Sequence, residues 1–431
     1  MTTTVAPKSP AASGSPENDA LAPRKWKTPI LLAVFALLSL VAFSLQVDSG
    51  ALTSIDFRSR GLAFDMEPLI LPSMVTNLVL SIVMLAIAAF SFKRTADRKA
   101  LPMWLLAIFA VLWAVALIVW VGAGHNVPLT WLLTGTLAIS TPLVFGSMAG
   151  LVSERVGVVN IAIEGQLLAG AFAGALVSSM TGSWIAGILA ALVAGVIVST
   201  ILALFSITYW VEQVVVGVVI NMIVIGLTNY LYSGLMASDR AQYNTPTTFP
   251  VWKIPFLSEI PVIGPLLFSN TVLTYLMFLL VPLLTWAVFN SKWGLRMRSV
   301  GEHPKAADTL GINVNGTRWF NVLLSGAIAG VGGSFYTLGS VGAFNQEITS
   351  GQGYIALAAL IFGRWHPIYA TCAALLFGFA SNFRTLATQV GANVPDELLS
   401  MVPYVVTVFA VIGFVGQSRA PAASGVPYVK Q

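Results

Sequence analysis

Residues able to do chemistry are scarce in this chain and gather in two stretches. The first is Ser153-Glu154-Arg155-Val156-Gly157-Val158-Val159-Asn160-Ile161-Ala162-Ile163-Glu164-Gly165-Gln166. It sets Asn160, Glu164 and Gln166 at the opening of an apolar, glycine-rich run. Asn160 and Glu164 are four apart, so on a helix they share a face. An ionisable group in such a run is costly and is by default a candidate for a solute path. A Glu164 at the membrane interface, satisfied by Arg155 or by a helix N-terminus, explains the same spacing, and both readings stand. The second stretch is Trp293-Gly294-Leu295-Arg296-Met297-Arg298-Ser299-Val300-Gly301-Glu302-His303-Pro304-Lys305-Ala306-Ala307-Asp308-Thr309-Leu310-Gly311-Ile312. Pro304 suits the first turn of a helix and Gly311 its stop, which predicts a brief helix over 305–310. A solvated loop is the plain alternative, but the length and the glycine boundary argue for a docking element.

Other chemistry is excluded by what is missing from the sequence. There is no Gly-Lys pair, hence no G-x-x-x-x-G-K-[ST] loop to cradle phosphates. No G-x-S-x-G elbow and no H-E-x-x-H pair occurs. Three histidines and one cysteine, Cys372, make a Cys/His metal site improbable, so no metal and no cofactor is expected. The net charge of +5 sits in short clusters beside apolar runs, without the aromatic interleaving of a nucleic-acid groove.

The elements that must position these residues follow from composition. Of 431 residues, 57% are hydrophobic and 9% charged, against about 25% charged in a soluble domain. Too little charge is present to coat soluble domains, so lipid is the solvent for most of the chain. Residues 1–27 are rich in Pro, Ser, Ala and Thr and read as a disordered cytoplasmic tail. Apolar runs follow at 28–47, 68–92, 101–122, 129–152, 161–180, 184–208, 214–235, 271–290, 319–340, 353–363, 367–386 and 400–415. The runs at 161–180 and 353–363 are weak enough to be half-helices or re-entrant segments. Basic clusters at Lys93, Arg94, Arg98 and Lys99, and at Lys292, Arg296, Arg298, Lys305 and Arg318, mark the cytoplasmic side. Asp65, Glu67, Asp396 and Glu397 and the proline-rich connection 236–270 then fall outside. The expected fold is all-α, a polytopic transmembrane bundle of about 10–12 segments, some short or broken. Frequent glycines (Gly165, Gly170, Gly174, Gly182, Gly187, Gly195, Gly326, Gly330, Gly332, Gly333) predict close helix packing.

A third block, Gly351-Gln352-Gly353-Tyr354-Ile355-Ala356-Leu357-Ala358-Ala359 with Ile361-Phe362-Gly363-Arg364-Trp365, joins the first two. With these three ordered blocks the chain resembles the permease subunits of bacterial ABC importers in the branched-chain amino acid, ribose and nucleoside group. The resemblance is nearer to the simple-sugar/nucleoside branch and covers about 130–416. It implies an ABC importer permease core over 126–416, with 417–431 as a cytoplasmic tail. Residues 28–125 are an N-terminal extension of about three helices that has no counterpart in the resemblance. The resemblance further implies a multi-pass protein of the bacterial inner (cytoplasmic) membrane, and the segment count with the basic clusters on one side places both termini inside. Its partners would be ABC ATPase subunits, a second, related permease subunit in a heterodimer, and an extracytoplasmic substrate-binding lipoprotein or periplasmic protein. By the same resemblance the segment around 301–311 is the coupling region. Arg298, Gly301, Glu302, Asp308 and Gly311 belong to it, with Glu302 and Asp308 facing the ATPase.

Alternating access needs a polar path lined by broken helices. Asn160, Glu164, Gln166, Asn221, Gln346, Gln352 and Tyr354 are the candidates, because they stand at polar openings before Gly/Ala-rich runs or within them. Asn229 is a further candidate, although buried amides more often join helices. The expected cargo is a nucleoside, with a simple sugar such as ribose as the alternative. An ion-coupled secondary transporter is the rival from another class. It should carry ionisable groups deep in its helices, and only Glu164, Glu212 and Arg384 approach that description.

Overall fold

The computed structural model describes residues 26–58, 67–99, 101–391 and 419–430. They divide into two compact units, 1–51 with 72–120, and 52–71 with 121–431.

The first unit holds α1 (Lys27–Leu38), which runs on as a π-helical turn to Ser44, then α2 (Ser73–Ala96) and α3 (Met103–Val121). Small polar groups knit it where backbones approach. Ser39 Oγ meets Ser81 Oγ at 2.9 Å, and Asn77 Nδ2 donates to the Phe43 carbonyl at 3.0 Å. Lipid supplies no hydrophobic driving force between helices, so such bonds and close packing hold them together.

The second unit opens with strands β1 (Leu52–Asp56), β2 (Leu69–Pro72) and β3 (Asn126–Pro128) in the order β2-β1-β3. β1 and β3 run parallel, with Ile55 opposite Val127. Helices α4 (Leu129–Glu154), α5 (Ile163–Thr181), α6 (Trp184–Ala203) and α7 (Gln213–Leu231) follow. Ser183 starts α6 after Gly182 ends α5 at φ 64°, a stop-and-cap pair. The connection 236–270 is ordered: α8 (Arg240–Tyr243) precedes an antiparallel pair, β4 (Val251–Lys253) with β5 (Ser269–Thr271). Then come α9 (Val272–Asn290), α10 (Lys292–Glu302), α11 (Pro304–Thr309), α12 (Val314–Ser334), α13 (Gln352–Phe362) and α14 (Pro367–Val390).

Among the described residues nine helical stretches are long and apolar enough to cross a membrane. They coincide with the expected runs from 28–47 to 319–340, and 161–180 is a full-length helix, not a half-helix. The expected span 400–415, Asp65, Asp396 and Glu397 lie outside the described residues. α13 has 11 residues, about half of what a ~30 Å hydrocarbon core requires at 1.5 Å per residue. α14 is long, but its final turns carry Ser381, Asn382, Arg384, Thr385 and Thr388.

α4 and α12 form the buried centre of the second unit, whereas α6, α7 and α9 expose apolar faces. Glycine permits the contact. A Cβ on Gly330 would run into the Ala191 carbonyl, and one on Gly195 into the Gly326 carbonyl. α12 therefore lies backbone to backbone on α6, as the glycine run predicted.

Candidate functional site

α13 begins after Gly351, whose φ of +78° leaves the helix without a side-chain cap of its own. Its first N–H groups need acceptors. Glu164, in the first turn of α5, provides them. Its Oε1 accepts from Gly351 N at 2.8 Å and Thr349 Oγ1 at 2.5 Å, and its Oε2 accepts from Gly353 N at 2.6 Å. All three neighbours donate, the pattern a carboxylate satisfies. The negative charge also faces the positive end of the α13 dipole. Two further bonds hold the same turn: Tyr336 donates to Gln352 Oε1 at 2.9 Å, and Asn221 Nδ2 to the Tyr354 hydroxyl at 3.0 Å. Asn221 also accepts from Gly165 N at 2.8 Å and donates to the Ile161 carbonyl at 2.9 Å.

Asn160 and Glu164 do not share a helical face. α5 starts at Ile163, so Asn160 lies in the preceding connection. Asn160 Nδ2 donates to Gln166 Oε1 at 3.0 Å and Ser325 Oγ at 2.9 Å, while Gln166 Nε2 donates to Ser199 Oγ at 2.8 Å. This knot joins α5, α6 and α12. Asn160, Glu164, Gln166 and Asn221 are buried within the single chain. Tyr354 and Gln346 are exposed and Gln352 half-buried. Ser233 lies beside Gln346, bonded to it at 3.3 Å, and Asn229 bonds the neighbouring Glu347 at 3.4 Å.

On the polar side, the end of α10 abuts the α4–α5 turn. A Cβ on Gly301 would strike the Arg155 carbonyl. Arg155 itself turns away from Glu164: its Nε and Nη2 donate to the Trp365 carbonyl at 3.0 and 2.5 Å. The Trp365 indole Nε1 donates to Glu154 Oε2 at 2.5 Å. Trp365 follows α13, so adjacent residues of the turn grip the far end of the helix whose start Glu164 holds. Burial lowers the Arg155 pKa, and the Glu302 carboxylate partly offsets this. Arg298 lies 5.4 Å over the Phe289 ring, with long bonds to Gly294 and Phe289 carbonyls at 3.4 Å. Glu302 is exposed and Asp308 half-buried, and Gly311 takes φ +81° where α11 ends.

Residues 132–411 match the family described as branched-chain amino acid transport system / permease component. The chain belongs to this permease family. The guanosine ABC transporter permease protein NupQ of Bacillus subtilis (strain 168) is 39% identical over 312 residues, 70% of this chain and 97% of its own. The nucleoside ABC transporter permease protein NupC of Lactococcus lactis is 39% identical over 304 residues, covering 68% and 95%. The glucose ABC transporter permease protein TsgB13 of Haloferax volcanii is 26% identical over 294 residues, covering 65% and 76%. No solved structure matches the chain.

Several residues of this permease escaped the sequence reading. α10 was not predicted, although Ser291 caps it by accepting from Gly294 N at 3.0 Å. Met297, Val300 and Gly301 form its buried stripe. Glu154, Gly157 and Trp365 carry contacts that their residue types and spacing do not by themselves announce. The adjacent charges Glu154-Arg155 at the end of an apolar run were the available signal.

Proposed function

We propose that this permease, paired with a second permease chain, forms the translocation path of an ATP-driven importer for nucleosides. The observation that carries the substrate class is the 39% identity to two permeases named for guanosine and for nucleosides, across nearly their full lengths. The chemistry beside α13 suits such cargo. Asn229, Ser233, Gln346, Ser350 and Tyr354 offer amides, hydroxyls and a phenol ring, which hydrogen-bond sugar hydroxyls and base edges and stack on a base. In this reading Tyr354, Gln346 and Gln352 border the path. Asn160, Glu164, Gln166 and Asn221 hold its wall in place.

Energy comes from a separate ATPase subunit, since the chain has no phosphate-binding loop. The ATPase docks on α10 and α11, where Arg298, Gly301, Glu302, Asp308 and Gly311 lie. Their side is cytoplasmic by the positive-inside rule, with both termini inside, and the 236–270 connection faces the extracytoplasmic binding protein. The similarity to a glucose permease supports a simple sugar as the second reading.

Uptake of labelled guanosine, uridine, ribose and glucose in a strain lacking this chain tests the proposal. Nucleoside uptake should vanish on deletion and return with the chain, but not when the partner ATPase has lost its P-loop lysine. Restoration of sugar uptake alone would refute the substrate. Uptake that tracks the ion gradient and ignores the ATPase lesion would refute the importer.

A further inference from the structure

The described C-terminal residues, 419–430, form neither helix nor strand, yet Pro421, Ala423 and Tyr428 are buried. They are bonded to three separate parts of the second unit. Ala423 N donates to the Gly301 carbonyl at 2.9 Å and Ala422 N to Glu302 Oε2 at 3.3 Å, at the end of α10. Gly425 N donates to the Gly157 carbonyl at 3.2 Å, in the α4–α5 turn. Arg318, in the first turns of α12 and 1% exposed, donates through Nη1 to the Val426 carbonyl at 3.0 Å and through Nε to the Val156 carbonyl at 3.1 Å. At the segment's end Lys430 lies 4.0 Å from Asp308, and the Tyr428 hydroxyl donates to the same carboxylate.

Two features show that these contacts are built in. Gly157 sits at φ +86°, and a Cβ there would lie 2.8 Å from the Ala423 carbonyl and 3.0 Å from Arg318 Nη2. The turn thus has room for the segment only because residue 157 is glycine. Arg318 is a buried cation whose described acceptors are backbone carbonyls, one of them from the segment. A buried guanidinium is costly unless hydrogen-bonded, and losing the segment would remove one of the two acceptors described for Arg318.

We propose that residues 419–430 are a clamp that fixes α10 and α11 to the α4–α5 turn and to α12. Displacement of the ATPase-facing helices then reaches Arg155, Trp365 and α13 as one rigid movement. The clamp rests on the reading of α10–α11 as the ATPase dock. Without it, α10 could shift against the turn and the stroke would dissipate at Gly301.

The test uses the full complex of both permeases, ATPase and binding protein in proteoliposomes. Ala422→Pro with Gly425→Pro removes the N–H donors to Glu302 and Gly157 at exposed positions, and proline also cannot take the φ of +77° that residue 425 adopts in the clamp. Deletion of 420–431 removes the clamp. In both, the ATPase should still co-purify and hydrolyse ATP, while nucleoside uptake per ATP falls about tenfold, a typical coupling. A wild-type ratio, or loss of bound ATPase, overturns the clamp. Should the deletion fail to accumulate, the proline variant decides. Ala423→Cys in a Cys372→Ala background gives a second measure. Its thiol should stay protected from maleimide through ATP turnover, and labelling that rises during turnover would mean that the segment detaches. Failure of the importer reading would look different: the wild-type complex itself would show no ATP-dependent uptake.

Discussion

Glu164 Oε2 accepts the Gly353 N–H at 2.6 Å across a sequence separation of 189 residues. A carboxylate on α5 thereby caps α13, a helix that has no side-chain cap of its own. Glu164→Gln replaces one acceptor oxygen by a donor that faces donors. The loss should be on the order of 2–3 kcal/mol, that of a buried charge-assisted bond left unmade. Thermal unfolding in detergent should show a lower midpoint, and uptake at matched membrane abundance should fall. A wild-type midpoint with wild-type uptake would remove Glu164 from both the cap and the path wall.

Gly353 and Gly351 should respond differently to alanine. A Cβ on Gly353 would lie 2.5 Å from Glu164 N and Cα, which are backbone atoms that cannot rotate away. At Gly351 the φ of +78° is the obstacle, since a Cβ there would make only an ordinary contact with the Tyr354 ring at 3.8 Å, at a cost of about 1 kcal/mol. Gly353→Ala should therefore lose uptake almost completely, and Gly351→Ala only in part. Equal losses would show that the close approach of α5 to α13 does not matter for transport.

The legible part of this protein was the part that local chemistry dictates. Apolar run length marked the long helices, including the break between α5 and α6. Pro304 and Gly311 bracketed α11. Tertiary pairing was not legible. From sequence Glu164 reads either as a path residue or as an interface residue satisfied by Arg155 or a helix N-terminus, and it meets the N-terminus of α13, which is remote in sequence. α10 escaped because Lys292, Arg296 and Arg298 mask a short buried stripe of Met297, Val300 and Gly301. The C-terminal segment has no periodicity to read, since its order comes from backbone bonds to Gly157 and Gly301.

Trp365 should resist even its nearest substitute. Phenylalanine keeps a ring but removes the Nε1–H that Glu154 accepts, which leaves a buried carboxyl oxygen without that donor at a cost of about 1–3 kcal/mol. Trp365→Phe should lower uptake several-fold while the protein still inserts. The double variant with Glu154→Gln should be less than additive, because the two residues share one bond. Strict additivity in melting temperature and uptake would argue that they act separately.

At the end of α10, Gly301→Ala places a methyl group against the Arg155 carbonyl, and Glu302→Ala removes the acceptor for Ala422 N. Both should insert normally and bind the ATPase, and both should lose most uptake. Their ATP hydrolysis should no longer rise when loaded binding protein is added. Substrate-stimulated hydrolysis at the wild-type level in either variant would contradict a coupling role.

His366 makes the Arg155–Trp365 junction sensitive to acid. Its ring stacks 4.9 Å from Phe289 and 4.6 Å from Tyr369. Arg155 and Arg298 both sit over the other partner of that stack, Phe289, at 5.8 and 5.4 Å. Burial first, and the Arg155 cation second, lower its pKa from the ordinary 6.5. Above 6.5 the ring is neutral in folded and unfolded chains alike, and pH has no effect through it. Below 6.5 the unfolded chain binds the proton more readily, so stability falls as pH drops toward the lowered folded value. Protonation would set a third cation beside Arg155 and Arg298, with Glu302 as the opposing charge. Melting temperature and uptake should both decline as the pH falls below the ordinary 6.5. His366→Gln keeps a polar side chain without the titration and should flatten that decline. An unchanged acid profile in the glutamine variant would place the sensitive group elsewhere.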